Sequence, residues 1–145
     1  MPSTAQTETE IRQVVQTLND AAKRRDLQAV QDCYVKDAIA FDLVPPLVTR
    51  GAEAYANNWL LAYEMFEGPM QIDVRDMVIH AGDDVAFLYM LEYFGGLGKD
   101  GKQHGLWIRI TSGLRRINGV WKIVHEHGSV PIDMKNDKPL LNEQP

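Results

Sequence analysis

One cysteine in 145 residues, Cys33, rules out a disulfide within the chain, so its stability must come from a packed core. No stretch of about 18 consecutive apolar residues is present and no charged-then-apolar leader opens the chain, which excludes a membrane-crossing helix and makes a cytoplasmic protein the expectation. Positive charge is scarce too. Lys and Arg number 15 against 20 Asp and Glu, a net charge of −5, and no basic block offers a stripe to a nucleic-acid backbone or an anionic membrane surface. Lys23, Arg24 and Arg25 are too few for that purpose and read as the solvated end of a helix. Neither nucleic acid nor membrane is expected as a partner.

Two further absences concern chemistry. No glycine-rich phosphate loop precedes a helix, because Gly95, Gly96 and Gly98 lie between two strand-like stretches and read as a hairpin turn. The histidines number only four, and His125 and His127 would need a third metal ligand that neither another His-x-His nor a His-Glu motif supplies. Neither cofactor nor metal is expected. Such histidines commonly hydrogen-bond within a sheet or across a dimer interface.

What the chain does have is periodicity. At 45% hydrophobic and 24% charged, it has the profile of a single soluble domain spanning residues 1–145. Thr7 and Glu10 have capping-box spacing, and Ile11, Val14, Val15, Leu18, Ala21 and Ala22 recur at helical intervals, giving a first amphipathic helix. Asp26 can cap a shorter second helix in which Leu27, Val30 and Cys33 or Tyr34 share a face, before a short strand over 39–41. Pro45 and Pro46 restrict their predecessors and lack amide donors, so they mark an ordered loop. A third helix is expected over about 52–67, ended by Gly68-Pro69, with Tyr55, Trp59, Tyr63 and Phe66 forming an aromatic stripe along one side.

From residue 70 the period switches to two. Strands are expected over 70–80, 84–95 and 102–117, followed by a fourth after the Asn118-Gly119 turn. Helices followed by an antiparallel meander argue for an α+β fold, a curved sheet with three N-terminal helices on its concave side. On the last strand, Trp121, Ile123, His125 and His127 alternate with Lys122, Val124 and Glu126. Its register decides which set faces inward. A two-residue turn pairs Ile117 with Val120 and sets Ser112 and Ile110 beside His125 and His127, whereas a three-residue loop with a glycine bulge sets them beside Val124 and Glu126.

The run Trp121-Lys-Ile-Val-His-Glu-His-Gly-Ser129, with Arg109-Ile-Thr111 before it and Tyr34-Val-Lys-Asp-Ala38 upstream, resembles the SnoaL-like and ketosteroid-isomerase-like branch of the nuclear transport factor two-like superfamily. The last strand is also similar to the association domain of calcium/calmodulin-dependent kinases. The resemblance covers about residues 9–131. It implies a cystatin-like cone around a pocket, usually in a homodimer built through the sheet, and functions ranging from isomerases, dehydratases and cyclases to non-catalytic assembly domains. By the kinase likeness the pocket face carries Val124 and Glu126, which favours the bulged register. Asp42 falls where ketosteroid isomerases carry their general base, while their tyrosine and protonated aspartic acid correspond to Leu18 and Thr111, so that oxyanion hole is missing here.

The candidate residues follow. Asp42 is either that base or a carboxylate tied to its own loop. Glu92 shares a face with Ala86, Leu88 and Met90, where an ionised carboxylate is costly, unless it lies beyond the buried part of the strand and faces water. Glu126 is a second acid or base across the cavity, or a salt-linked strand residue. Trp59, Tyr63, Met90 and Val124 are candidates for the cavity wall, and Ser112, Arg109 and His127 for polar ligand contacts. The expected partner is a small apolar molecule transformed by carboxylate proton transfer; the alternative is a non-catalytic ligand-binding or dimeric assembly module.

Overall fold

The computed structural model describes residues 2–145 as an α+β fold in which N-terminal helices pack against a curved, unclosed sheet. Its elements are α1 (Thr4–Lys23), α2 (Leu27–Gln31), β1 (Tyr34–Phe41), β2 (Thr49–Arg50), α3 (Ala52–Asn57), α4 (Trp59–Met65), β3 (Phe66–Ala81), β4 (Val85–Gly98), β5 (Gln103–Ile117) and β6 (Val120–Ser129). A two-stranded ribbon, β7 (Ile132–Asp133) with β8 (Lys138–Pro139), closes the chain. The main sheet runs β2-β1-β6-β5-β4-β3. All neighbours are antiparallel except β1 and β6, which pair in parallel because the helices and the long meander separate them in the chain. Among the described residues, no helix is long and apolar enough to cross a membrane.

The core lies between the helices and the inner sheet face. Ile11, Val15, Leu18 and Ala22 of α1 meet Leu88 and Met90 of β4, Ile110 and Leu114 of β5, and Ile123 of β6. Alternation along β4 buries Ala86, Leu88, Met90 and Glu92 and leaves Val85, Phe87 and Tyr89 exposed on the outer face.

Several boundaries differ from expectation. Ser3, accepting from the Gln6 amide, caps α1 in place of Thr7. Thr7 and Glu10 instead take Arg116 Nη2 at 3.2 and 3.3 Å, and Glu10 also accepts from Trp121 Nε1, so a cap-like spacing serves to bolt the helix onto β5 and β6. The expected third helix is broken at Asn58, where Asn58 N–H bonds Tyr55 O and Leu61 N–H bonds Asn58 O, both tightened i to i+3 bonds. It ends at Met65 rather than at Gly68-Pro69, which lie inside β3. Gly95, Gly96 and Gly98 are strand residues and not a turn: at Gly105, opposite Gly95, a Cβ would fall 2.2 Å from the Tyr93 hydroxyl, so the glycines here admit a ring lying across the sheet.

The β5–β6 hairpin contains both registers. Asn118 and Gly119 have φ of 51° and 80°, a two-residue turn that pairs Ile117 with Val120. One residue is then inserted at Val124, after which Ser112 faces Glu126 and Thr111 faces His127. The bulge is in the strand and not in the loop. Trp121, Ile123 and Glu126 consequently all point inward, which strict alternation forbids.

Candidate active site

An apolar cavity of about 150 Å³ lies between the helices and the inner sheet face. Leu18 and Asn19 of α1, Tyr34 of β1, Tyr55 of α3, Trp59 of α4, Met90, Glu92 and Phe94 of β4, Ile108 and Ile110 of β5 and Glu126 of β6 line it. Exposed Leu43, Leu61 and Met65 mark its mouth. Three carboxyl groups, those of Asp42, Glu92 and Glu126, reach this space, and among the described residues no Lys, Arg or His does. Nor does any group of three His, Cys, Asp or Glu among the described residues form a metal-binding cluster.

Glu126 is the most constrained of the three. Its Oε1 accepts from the Tyr34 and Tyr55 hydroxyls, each at 3.0 Å, and its Oε2 accepts from Ser112 Oγ at 2.8 Å. Burial pushes this carboxyl above its ordinary range, and the three hydroxyl donors pull it back. Both phenols are driven well above their usual range, first by burial and then by the adjacent Glu126 charge, so they act as fixed donors. The Tyr34 and Tyr55 rings meet edge to face at 5.4 Å, which locks their orientation.

Glu92 is 6% exposed, so it does not face water. Burial, reinforced by Glu126, raises its pKa from 4.5 to about 8, while Asn19 on α1 pulls in the opposite direction. It therefore carries a proton at neutral pH. Asp42 stands half-buried just beyond the end of β1, with Oδ1 accepting from Leu43 N–H and Oδ2 from Asn58 Nδ2, both at 2.7 Å. The loop bond and the cavity position coexist. Asn58, at the break between α3 and α4, gives its side-chain amide to Asp42, and the next residue, Trp59, lines the cavity.

Of the sequence candidates, the structure brings Trp59 and Met90 to the cavity together with the three carboxyls. The other candidates lie elsewhere. Val124 sits at the bulge outside the cavity, because the inserted residue passes the inward position to Glu126. Tyr63 stacks on Trp59 but gives its hydroxyl to Ala22 O at 2.9 Å, joining α4 to α1. Ser112 is buried behind Glu126 as its donor. Arg109 bonds Ser129 Oγ, and His127 packs on Phe41, both on the outer sheet face. Sequence reasoning missed Asn19, Tyr34, Tyr55 and Asn58 as site residues. Asn19 left a signal, a polar residue among Ile11, Val15, Leu18 and Ala22 on a buried helical face.

The family model described as a SnoaL-like domain matches residues 11–133. The chain belongs to the SnoaL-like family. Among solved structures, this SnoaL-like chain is similar to an NTF2-like protein of unknown function from Pseudomonas putida, at 34% identity and a TM-score of 0.86 with 99% of each chain covered. It is also similar to a ketosteroid isomerase-like protein from Erwinia carotovora atroseptica, at 20% identity and a TM-score of 0.67 over 83% of this chain and 93% of the other. The association domain of C. elegans calcium/calmodulin-dependent kinase II is 19% identical, with a TM-score of 0.72 over 86% and 95% of the two chains. The last two likenesses show a common fold alone. No curated protein matches the chain. A SnoaL-like cone is compatible with many reactions, so its function has to be argued from the cavity.

Proposed function

We propose that this SnoaL-like protein binds a small, mostly apolar molecule in the cavity and moves a proton on it without a cofactor, as an isomerase, dehydratase or cyclase does. The observation that carries this reading is the presence of two carboxyls in one apolar space, Glu92 buried in its wall and Asp42 held by Asn58 beside its mouth, with burial raising Glu92 well above the ordinary carboxyl range. Asp42 acts as the base, withdrawing a proton from a substrate carbon. Glu92 is the second proton carrier and supplies a proton to the accepting or departing atom. Glu126, saturated by three hydroxyls, is the electrostatic partner that keeps the Glu92 proton in place. Trp59, Phe94 and Met90 hold the hydrocarbon body.

The test is solvent-deuterium exchange into a panel of one-ring ketones and amino ketones, followed by NMR. Asp42→Asn is expected to slow protein-catalysed exchange by about 100-fold or more. An unchanged rate in that variant removes Asp42 as the base.

A second reading, an assembly module, is favoured by the outer sheet face. Phe87 and Tyr89 are exposed at 48% and 46%, both packed on His80, and Tyr89 lies in the same cross-strand row as Thr111 and His127. On this reading the protein is a homodimer built through the sheet. His127→Ala is expected to weaken that dimer by about tenfold in Kd, measured by sedimentation velocity across a dilution series. A monomer at all concentrations, or an unaffected dimer, overturns the assignment of that face.

A further inference from the structure

The polar groups of the cavity are unevenly matched. Glu126 has three hydroxyl donors and Asp42 has an amide and a backbone N–H. Glu92 has neither a hydroxyl donor nor a cation among the described residues: the Asn19 amide is its hydrogen-bonding neighbour, Glu126 adds only like charge, and the salt bridges of the molecule lie elsewhere. It is nonetheless buried and lines the cavity. A buried carboxyl without an ionic partner is unfavourable when charged, and the protein provides no cation anywhere on this wall.

The surrounding wall suits a positive charge. Trp59 and Phe94, whose rings meet edge to face at 6.2 Å, line the cavity together with Tyr34 and Tyr55, whose hydroxyls are given to Glu126. Aromatic faces attract cations, more strongly where water is excluded. The volume sets the size of the occupant. A cavity of about 150 Å³ lined by apolar side chains accommodates one benzene-sized ring.

We infer that the natural ligand of this cavity is a small hydrophobic amine, its nitrogen at Glu92 and its hydrocarbon body between Trp59, Phe94 and Met90. This rests on the reading of the cavity as the substrate site and specifies the atom that Glu92 faces. The Glu92 proton passes to the amine nitrogen, or leaves for solvent when the amine enters already protonated; in both cases a carboxylate–ammonium pair remains, and with an amine bound the ammonium, in place of Glu92, holds the proton available for transfer. No other group changes charge. Asp42 and Glu126 are the other acids facing the pair, Tyr34 and Tyr55 the other titratable groups, and Asn19 the neutral neighbour.

The experiment is calorimetric titration of the full chain at pH 7 with three one-ring probes of similar shape: benzylamine, benzyl alcohol and benzoate. Benzylamine is expected to bind about tenfold or more tightly than benzyl alcohol, as a charge-assisted hydrogen bond in a dry site supplies, and benzoate is expected not to bind. Glu92→Gln is expected to bring the affinity for benzylamine down to that for benzyl alcohol while leaving the alcohol unaffected. Equal or tighter binding of the alcohol overturns the amine inference but leaves the cavity as a ligand site. Retained amine preference in the Gln variant also overturns it, since the nitrogen then sits elsewhere. Failure of all three probes to bind overturns the amine inference and the ligand-site reading together.

Discussion

Glu126→Ala is expected to destabilise the fold by about 3–5 kcal/mol, because it leaves the hydroxyls of Tyr34, Tyr55 and Ser112 buried without their acceptor. The loss is large because the three donors come from α3 and from strands on both sides of β6, which the carboxylate ties together. Glu126→Gln keeps one carbonyl acceptor and the side-chain shape, so it should lose less than half as much. Urea denaturation at pH 7 checks both: the midpoint should fall while the m-value stays constant. A drop below about 1 kcal/mol in Glu126→Ala would mean that water replaces the carboxylate at little cost, and the cavity would then be wetter than its lining implies.

The second large effect concerns Glu92 and runs with pH. In the unfolded chain this carboxyl releases its proton near 4.5, and in the folded chain it holds it to about 8. A carboxyl whose folded pKa is raised contributes its full share of stability below the unfolded pKa. That share is then lost progressively as pH rises from 4.5 through 8. At about 1.4 kcal/mol per pH unit, the loss over this window is on the order of 5 kcal/mol. Glu92→Gln cannot titrate. Near pH 4.5 it should match the wild type, and by pH 9 it should be more stable by that order. Denaturation curves at pH 4.5, 7 and 9 measure the difference directly, and a stability gap that stays flat across the range would show that Glu92 ionises normally.

These two glutamates differ in how far the sequence betrayed them. Glu92 sits in an unbroken two-residue alternation with Ala86, Leu88 and Met90, so its inward direction follows from local backbone geometry once the strand is recognised. Its depth does not, because burial depends on α1 covering that part of the sheet with Leu18 and Asn19. Glu126 also faces inward, yet the alternation that buries Trp121 and Ile123 would turn it out. The bulge at Val124 reverses the phase, and the two-residue Asn118-Gly119 turn gives no hint of it. A bulge is accommodated by the partner strands: β5 runs antiparallel on one side, and parallel β1 itself shifts register between Tyr34 and Ile39 on the other. The likeness to kinase association domains puts Val124 and Glu126 on one pocket-facing side of an uninterrupted strand, whereas the bulge turns only Glu126 inward.

By itself the sequence determined the helix-then-meander order, the amphipathic face of α1, the inward set of β4, the position of the β5–β6 hairpin and the membership of the SnoaL-like family. Each rests on contacts between residues close in the chain or on a repeating period. Only the tertiary structure decided the site. Tyr34 and Tyr55 reach Glu126 across 92 and 71 positions, and Asn58 reaches Asp42 across 16. Such partnerships carry no local signature: a hydroxyl beside a buried carboxylate is selected by where the sheet curves and where a helix stops, and those are properties of the packed chain as a whole.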